Sequence, residues 1–523
     1  MNLKIFARGL CAALLLLPIS LCTLYAQDQD QDKDKQEAKP AEKSEPTLKE
    51  ESSVTDHSIK IGGQTIPYKA TAGSILLKND KDEPAALMYY VAYTRSDSKD
   101  FSLRPVAFLY NGGPGSSSLW LHMGSFGPKR VITANAGITP PAPYKMEDNP
   151  NCLLDKADLV FIDPVGTGFS KAVGKAQDKD FWGIDQDAKS IAQFVQSYVT
   201  RNDRWNSPKF LIGESYGTFR NAALANLLQT DNGIYLNGIV MISSVWDLST
   251  ISFHPGQDLA YILYLPSYAA TAWYHKVLKD RPDNLEAFID EARNFAKGEY
   301  ADALLKGANL SEAEKAAVAK KLSRFTGLSE DYLIKSNLRV RLGRFQQELQ
   351  LNRGLTTGRL DARFSGPTYD LIDSSATYDP QEAAITGAFV AAFNQYLRQD
   401  LKFGQDRAYH VFADFGNNHW DWKHRGPGET GFPGSPNVMP DLANAFIINP
   451  RLQVQMEDGY YDLATPFFES EYAVDHLGLP ENLQKNIQHK YYQAGHMMYL
   501  RPEDLSKLKG NVASFIDSAS AAE

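Results

Sequence analysis

The chain has 523 residues, 43% hydrophobic and 22% charged, enough to bury a large core and to exclude a disordered or fibrous protein. Its formal charge of −9, with no Lys/Arg-rich stripe interleaved with aromatics, excludes a nucleic-acid binder and leaves peptides or small molecules as partners.

Lys4 and Arg8 precede an apolar core, "LCAALLLLPIS", and "TLYA" closes the segment at Ala26, the layout of a secretory signal peptide over residues 1–26. About a dozen apolar residues fall short of the roughly 20 that a membrane-spanning helix needs. Export to the periplasm or beyond is expected, with no stable membrane anchor. A lipoprotein reading of Cys22 fails on Leu21, which stands where a small residue is wanted. Cys11 and Cys22 lie in the segment to be removed, so Cys152 alone remains and the mature chain can form no intrachain disulfide. Residues 27 to 52 alternate acids with lysines and contain no aromatic, too little apolar surface to order themselves. A disordered charged linker is therefore expected over 27–57, and a folded domain over 58–523.

From Ser58 the pattern turns to short alternating runs, "SIKIGGQTIPY" with Gly62 and Gly63 as a hairpin turn, then "GSILLK" and "ALMYYVAYTR", which predict antiparallel strands. "PVAFLYNGG" (105–113), "ADLVFIDP" (157–164), "KFLIGES" (209–215) and "NGIVMISS" (237–244) are buried strands ending in Gly, Pro, Asp or Ser. Helical patterns lie between them, so the fold class is α/β with a mostly parallel sheet flanked by helices. From about 250 to 440 helix-forming sequence takes over, including a capping box at Ser311 and Glu314 and the amphipathic run "SEDYLIKSNLRVRLGRFQQELQ". An insertion so late in an α/β sheet predicts a lid. Strands resume at "RLQVQMEDGYYD" (451–462) and "QHKYYQAGH" (488–496), and a helix with Leu505, Leu508, Val512, Phe515 and Ile516 closes the chain.

Gly213-Glu214-Ser215-Tyr216-Gly217 sits between a strand and a helix, the context of a nucleophile elbow, whose turn is so tight that both flanking positions must be nearly free of side chain. Ser215 would project from the sheet edge with a helix N-terminus behind it, where backbone N–H groups can hold an oxyanion. A free serine hydroxyl is a weak nucleophile and needs a base with an orienting acid. In this fold they follow late strands in the order Ser, Asp or Glu, His. His496 follows the last predicted strand and Asp462 the one before, with Asp458 as the competing acid. The Gly-rich "LYNGGPGSSS" supplies the second oxyanion donor: Gly112 and Gly113 allow close backbone approach, giving N–H groups from Gly113 and Tyr216. It is not a phosphate loop, since no Gly-Lys-Ser/Thr follows. No HExxH or Cys/His cluster occurs, so no metal or cofactor is expected.

"NGGPGSSSL" at 111, "FIDPVGTGFS" at 161, "IGESYG" at 212, "GYYD" at 459 and "AGHM" at 494 together resemble the serine carboxypeptidase family of α/β-hydrolases. The resemblance implies a secreted exopeptidase with the triad Ser215, Asp462 and His496 and oxyanion donors Gly113 and Tyr216. It also implies that Asn111 and Glu214 hold the substrate's terminal carboxylate. A glutamate that binds a carboxylate must be protonated, so burial has to raise its pKa. Leu109 replaces the family's usual tryptophan, Ser125 its "ELGP" glutamate, and Ser116 its disulfide-bonded cysteine, which marks a divergent member, of bacterial type. The chain is expected to be a serine carboxypeptidase. An esterase or acyltransferase on the same triad, and a non-catalytic binding protein on a hydrolase scaffold, are the alternatives.

Overall fold

The computed structural model describes residues 48–430 and 434–521. The expected signal segment and most of the expected linker lie outside them. Ten strands form one sheet: β1 (Ser52–Ile61), β2 (Gln64–Lys78), β3 (Pro84–Arg95), β4 (Val106–Tyr110), β5 (Asp158–Ile162), β6 (Lys171–Ala172), β7 (Lys209–Glu214), β8 (Gly238–Ile242), β9 (Gln453–Gly459) and β10 (Ile487–Tyr492). Their spatial order is β1-β2-β3-β5-β4-β7-β8-β9-β10, with β6 beside β3. The first three pair antiparallel, β3 meets β5 antiparallel, and the pairs from β5 to β10 are parallel.

The folded part begins earlier than expected. β1 starts at Ser52, within the stretch assigned to the linker, and pairs with β2 from Ser52 opposite Gly73 to Ile61 opposite Gln64. Ahead of it, Glu50 accepts a hydrogen bond from the Leu76 N–H and pairs with Arg201. From Ser52 to His57 the β1 side chains are exposed or half-buried, so backbone pairing holds this part of the strand and the sequence carries no apolar alternation there. The expected hairpin turn at Gly62 and Gly63 is present, and "QTIPYKATAGSILLK" is one continuous strand.

The central strands are buried on both faces, and the two-residue side-chain period divides them between two cores. Val106, Phe108, Tyr110, Leu211, Ile239 and Met241 share one core with helices α1 (Ile184–Arg201), α2 (Tyr216–Thr230) and, from later in the chain, Met439–Ile448. Ala107, Leu109, Phe210, Ile212, Val240 and Ile242 share the other with the helices at Pro380–Gln399 and Pro502–Ser520. Side chains on β4, β7 and β8 are therefore fixed from both sides, which makes their C-terminal ends rigid mounts.

Between β8 and β9 the chain builds a helical body with its own core, where α3 (Leu259–Tyr274) packs on the helices Leu285–Phe295 and Glu312–Thr326 and Tyr268 stacks on Phe345 at 3.9 Å. The Ser311–Glu314 capping box is formed. The amphipathic run after it is not one helix: Glu330–Lys335 and Leu342–Glu348 are separated at Asn337 and Leu338, both with positive φ.

Candidate active site

Ser215 stands between β7 and α2 with φ +60° and ψ −129°, a conformation that non-glycine residues rarely adopt. The turn leaves no room beside it: a Cβ at Gly213 would lie 2.3 Å from the Gly217 carbonyl oxygen. The Ser215 N–H donates to the Ile242 carbonyl at 2.9 Å, tying the elbow to the end of β8. Tyr216 opens α2, so its N–H has no partner within the helix. The loop after β4 packs on this N–H so closely that a Cβ at Gly112 would sit 2.3 Å from Tyr216 N. Glycine is required at 112 because two backbones meet there, and the contact brings the Gly113 and Tyr216 segments to one spot.

The loop carrying Asn111 is held from beneath. Buried Arg220, on α2, donates to the Asn111 carbonyl at 2.9 Å and pairs with Asp187 of α1 at 2.6 Å. Its far end is fixed by Asp163, whose Oδ1 accepts from both the N–H and the hydroxyl of Ser118 at 2.8 Å, while Tyr409 donates to Oδ2. Burial raises the Asp163 pKa to about 6 against these hydrogen bonds. The "FIDPVGTGFS" motif thus serves as a buttress for the loop.

His496 follows β10, and its Nδ1 lies 2.7 Å from Asp462 Oδ2. Asp462 is fully saturated: Oδ1 accepts from the Ala464 N–H at 2.7 Å and the Thr465 N–H at 3.0 Å, and Oδ2 from the Thr465 hydroxyl at 2.9 Å. Ser243 donates to the His496 carbonyl at 2.8 Å, fixing the backbone of the histidine as well. Burial alone depresses the imidazole pKa, but the charge and hydrogen bond of Asp462, with the Glu214 carboxyl nearby, outweigh it and the net shift is upward. Asp458 lies elsewhere, bound by the Ser470 hydroxyl at 2.8 Å and 3.8 Å from His489. Of the two candidate acids, the structure brings Asp462 to His496.

Asn111, Gly112, Gly113, Glu214, Ser215 and His496 line one cavity of about 170 Å³, with apolar walls from Trp120, Ile385, Phe412 and Met497 and two exposed charges, Arg359 and Glu382. Asn111 is oriented by the Leu121 N–H, which donates to its Oδ1 at 3.0 Å, so its Nδ2 donates to Glu214 Oε1 at 2.8 Å. Glu214 is 4% exposed and its Oε2 has no partner. Burial raises its carboxyl pKa to about 7, opposed by His496, Tyr499 and Asn111. Ser125 is buried with its hydroxyl on the Leu121 carbonyl at 2.7 Å.

The family model described as serine carboxypeptidase matches residues 62–324, half of the chain. The chain belongs to the serine carboxypeptidase family. Among curated relatives it is similar to the pheromone-processing carboxypeptidase KEX1 of Saccharomyces cerevisiae, 30% identical over 172 residues, 31% of this chain and 22% of that protein. It is also similar to serine carboxypeptidase-like 45 of Arabidopsis thaliana, 26% identical over 211 residues, 38% of this chain and 42% of that protein. Both matches span less than half of the relative's length. The solved structure of KEX1(delta)p, described as a prohormone-processing carboxypeptidase from S. cerevisiae, superposes with a TM-score of 0.55 at 16% identity, covering 86% of this chain and 92% of that one. The fold is accordingly that of an α/β-hydrolase, as the strand and motif pattern of this serine carboxypeptidase family member predicts.

Sequence reasoning did not find Thr465, Arg220, Asp163 or Tyr499. Thr465 had a local signal: a carboxylate that accepts from N–H groups two and three residues on is an Asx-type turn, and Asp462 can make one where Asp458, inside β9, cannot. The other three act across long sequence separations and leave no local trace.

Proposed function

We propose that the protein is an exported serine carboxypeptidase that removes C-terminal residues from peptides. Ser215 Oγ attacks the scissile carbonyl while His496 takes its proton and then gives it to the leaving amine. Asp462 holds the imidazole with Nδ1 protonated and stabilises its charged form. N–H groups of Gly113 and Tyr216 receive the oxyanion, and water hydrolyses the acyl-enzyme. Asn111 and protonated Glu214 donate to the substrate's terminal carboxylate.

The observation that carries this reading is the buried Asn111–Glu214 pair beside Ser215, with Glu214 Oε2 unpartnered in the same cavity. An esterase acting on neutral acyl groups has no use for a buried acid there, which costs stability unless a ligand completes it. Mass-spectrometric profiling of a peptide mixture tests the proposal: stepwise loss of C-terminal residues, abolished in Ser215→Ala, is expected. Internal cleavage, or hydrolysis of esters with no action on peptides, refutes it.

A further inference from the structure

Two buried polar atoms beside the cavity have no hydrogen-bond partner: Glu214 Oε2 and the Tyr499 hydroxyl. Tyr499 is 2% exposed. Its ring packs against Gly124, so close that a Cβ there would stand 2.4 Å from Tyr499 Cε2. Its hydroxyl is within interaction range of the Glu214 carboxyl and the Asn111 amide, yet closes no hydrogen bond of good geometry with either. Ser125, the nearby hydroxyl on that segment, is committed to the Leu121 carbonyl. Leaving two such groups unsatisfied in a buried site is costly, and a structure that keeps them so has a state in which they are satisfied.

We infer that Tyr499 is a positioning residue for Glu214: its hydroxyl donates to Oε2 when the carboxyl is ionised and releases it when the carboxyl is protonated, freeing the acid proton for a substrate's terminal carboxylate. This rests on the carboxylate-binding role proposed for Glu214. Toward an ionised carboxylate, which can only accept, the phenol is the donor, because burial and the Glu214 carboxyl keep it protonated throughout the working range. Hydrogen bonding to the charged form favours that form. Tyr499 therefore opposes burial and holds the Glu214 transition near neutral pH. The other groups facing Glu214 are His496, whose positive form also favours ionisation, Asn111, which donates to Oε1, and Asp462, which disfavours it.

Tyr499→Phe keeps the ring packed on Gly124 and removes only the donor. The titration of Glu214 is read directly from the infrared carbonyl stretch of its protonated carboxyl, identified by its disappearance in Glu214→Gln, and in parallel from the pH dependence of KM for a free-acid peptide. A donor to a charged group is worth about one pH unit or more, so the infrared midpoint should move up by that amount in Tyr499→Phe and the rise in KM should move with it. Loosened packing would admit water and lower the midpoint, the opposite direction. An infrared midpoint that stays where it is in the wild type overturns the inference, whatever reaction the enzyme performs. A KM raised equally at every pH also overturns it, since the hydroxyl would then contact substrate directly. If the infrared midpoint moves while KM shows no pH dependence in either protein, the pairing stands and the carboxylate-binding role of Glu214 falls.

Discussion

Replacing Asp462 by asparagine changes one atom of the carboxylate and is expected to remove nearly all activity, because the four hydrogen bonds at that side chain do not tolerate the change equally. Oδ1 faces two backbone donors, Ala464 N–H and Thr465 N–H, and Oδ2 faces the Thr465 hydroxyl and His496 Nδ1. An asparagine that presents NH₂ to the backbone side leaves two buried N–H groups opposed by donors, at about 1–3 kcal/mol each. It therefore keeps its oxygen on that side and turns NH₂ toward His496. Nδ1 must then accept, the imidazole proton moves to Nε2, and the base can no longer take a proton from Ser215. The wrong tautomer costs roughly 10⁴ in kcat in a triad of this kind, which corresponds to about 5.4 kcal/mol of barrier at 1.36 kcal/mol per decade. The Thr465 hydroxyl can rotate to accept from NH₂, so the fold should be retained, with an unchanged circular dichroism spectrum and melting temperature within a few degrees. The assay is single-turnover acylation of a blocked dipeptide, with fluorophosphonate labelling as a second readout. Less than a tenfold loss, or an equal loss in a folded Asp458→Asn protein, refutes the placement of the acid.

Ser215→Ala and His496→Ala should each lower turnover by orders of magnitude while leaving the melting temperature near that of the wild type, and fluorophosphonate labelling should vanish in the serine variant. Peptides amidated at the C-terminus should be much poorer substrates than their free acids. For the acids, KM should rise by about tenfold per pH unit once the pH passes the Glu214 pKa of about 7, because a carboxyl raised by burial is neutral below that value and repels the substrate carboxylate above it. Gly112→Ala, whose Cβ would stand 2.3 Å from Tyr216 N, should displace the loop carrying Gly113, the proposed oxyanion donor, and lower kcat by roughly 10²–10³, measured against unchanged folding by circular dichroism. Arg220→Met strands Asp187 in the core and should destabilise the protein by about 3–5 kcal/mol in urea unfolding, since one charge of a buried pair is left alone.

Much of this molecule was legible from its sequence because the signals are local. A short apolar run ending in Gly, Pro, Asp or Ser marks a strand buried on both faces, and β4, β5, β7 and β8 stand where such runs occur. The elbow is legible for the same reason: a serine at φ +60° between a strand and a helix demands glycine at 213 and 217, and that demand is written in five consecutive residues. The start of β1 was not legible, since its order comes from backbone pairing with β2 and the exposed or half-buried side chains of Ser52 to Asp56 follow no apolar pattern. The sequence favoured Asp462 over Asp458 as the acid but could not show which of them meets His496. They are four residues apart, and only the end of β9 turns one toward His496 and the other toward Ser470. The state of Glu214 is likewise a tertiary property: its charge is governed by burial, by Asn111 from 103 positions away and by Tyr499 from the far end of the chain, and no pattern in "GESYG" encodes that company. What the sequence by itself determined is therefore the set of backbone conformations and the chemical groups offered at each turn. What only the tertiary structure decided is which of those groups meet, because hydrogen bonds and desolvation act through space on residues that the chain keeps hundreds of positions apart.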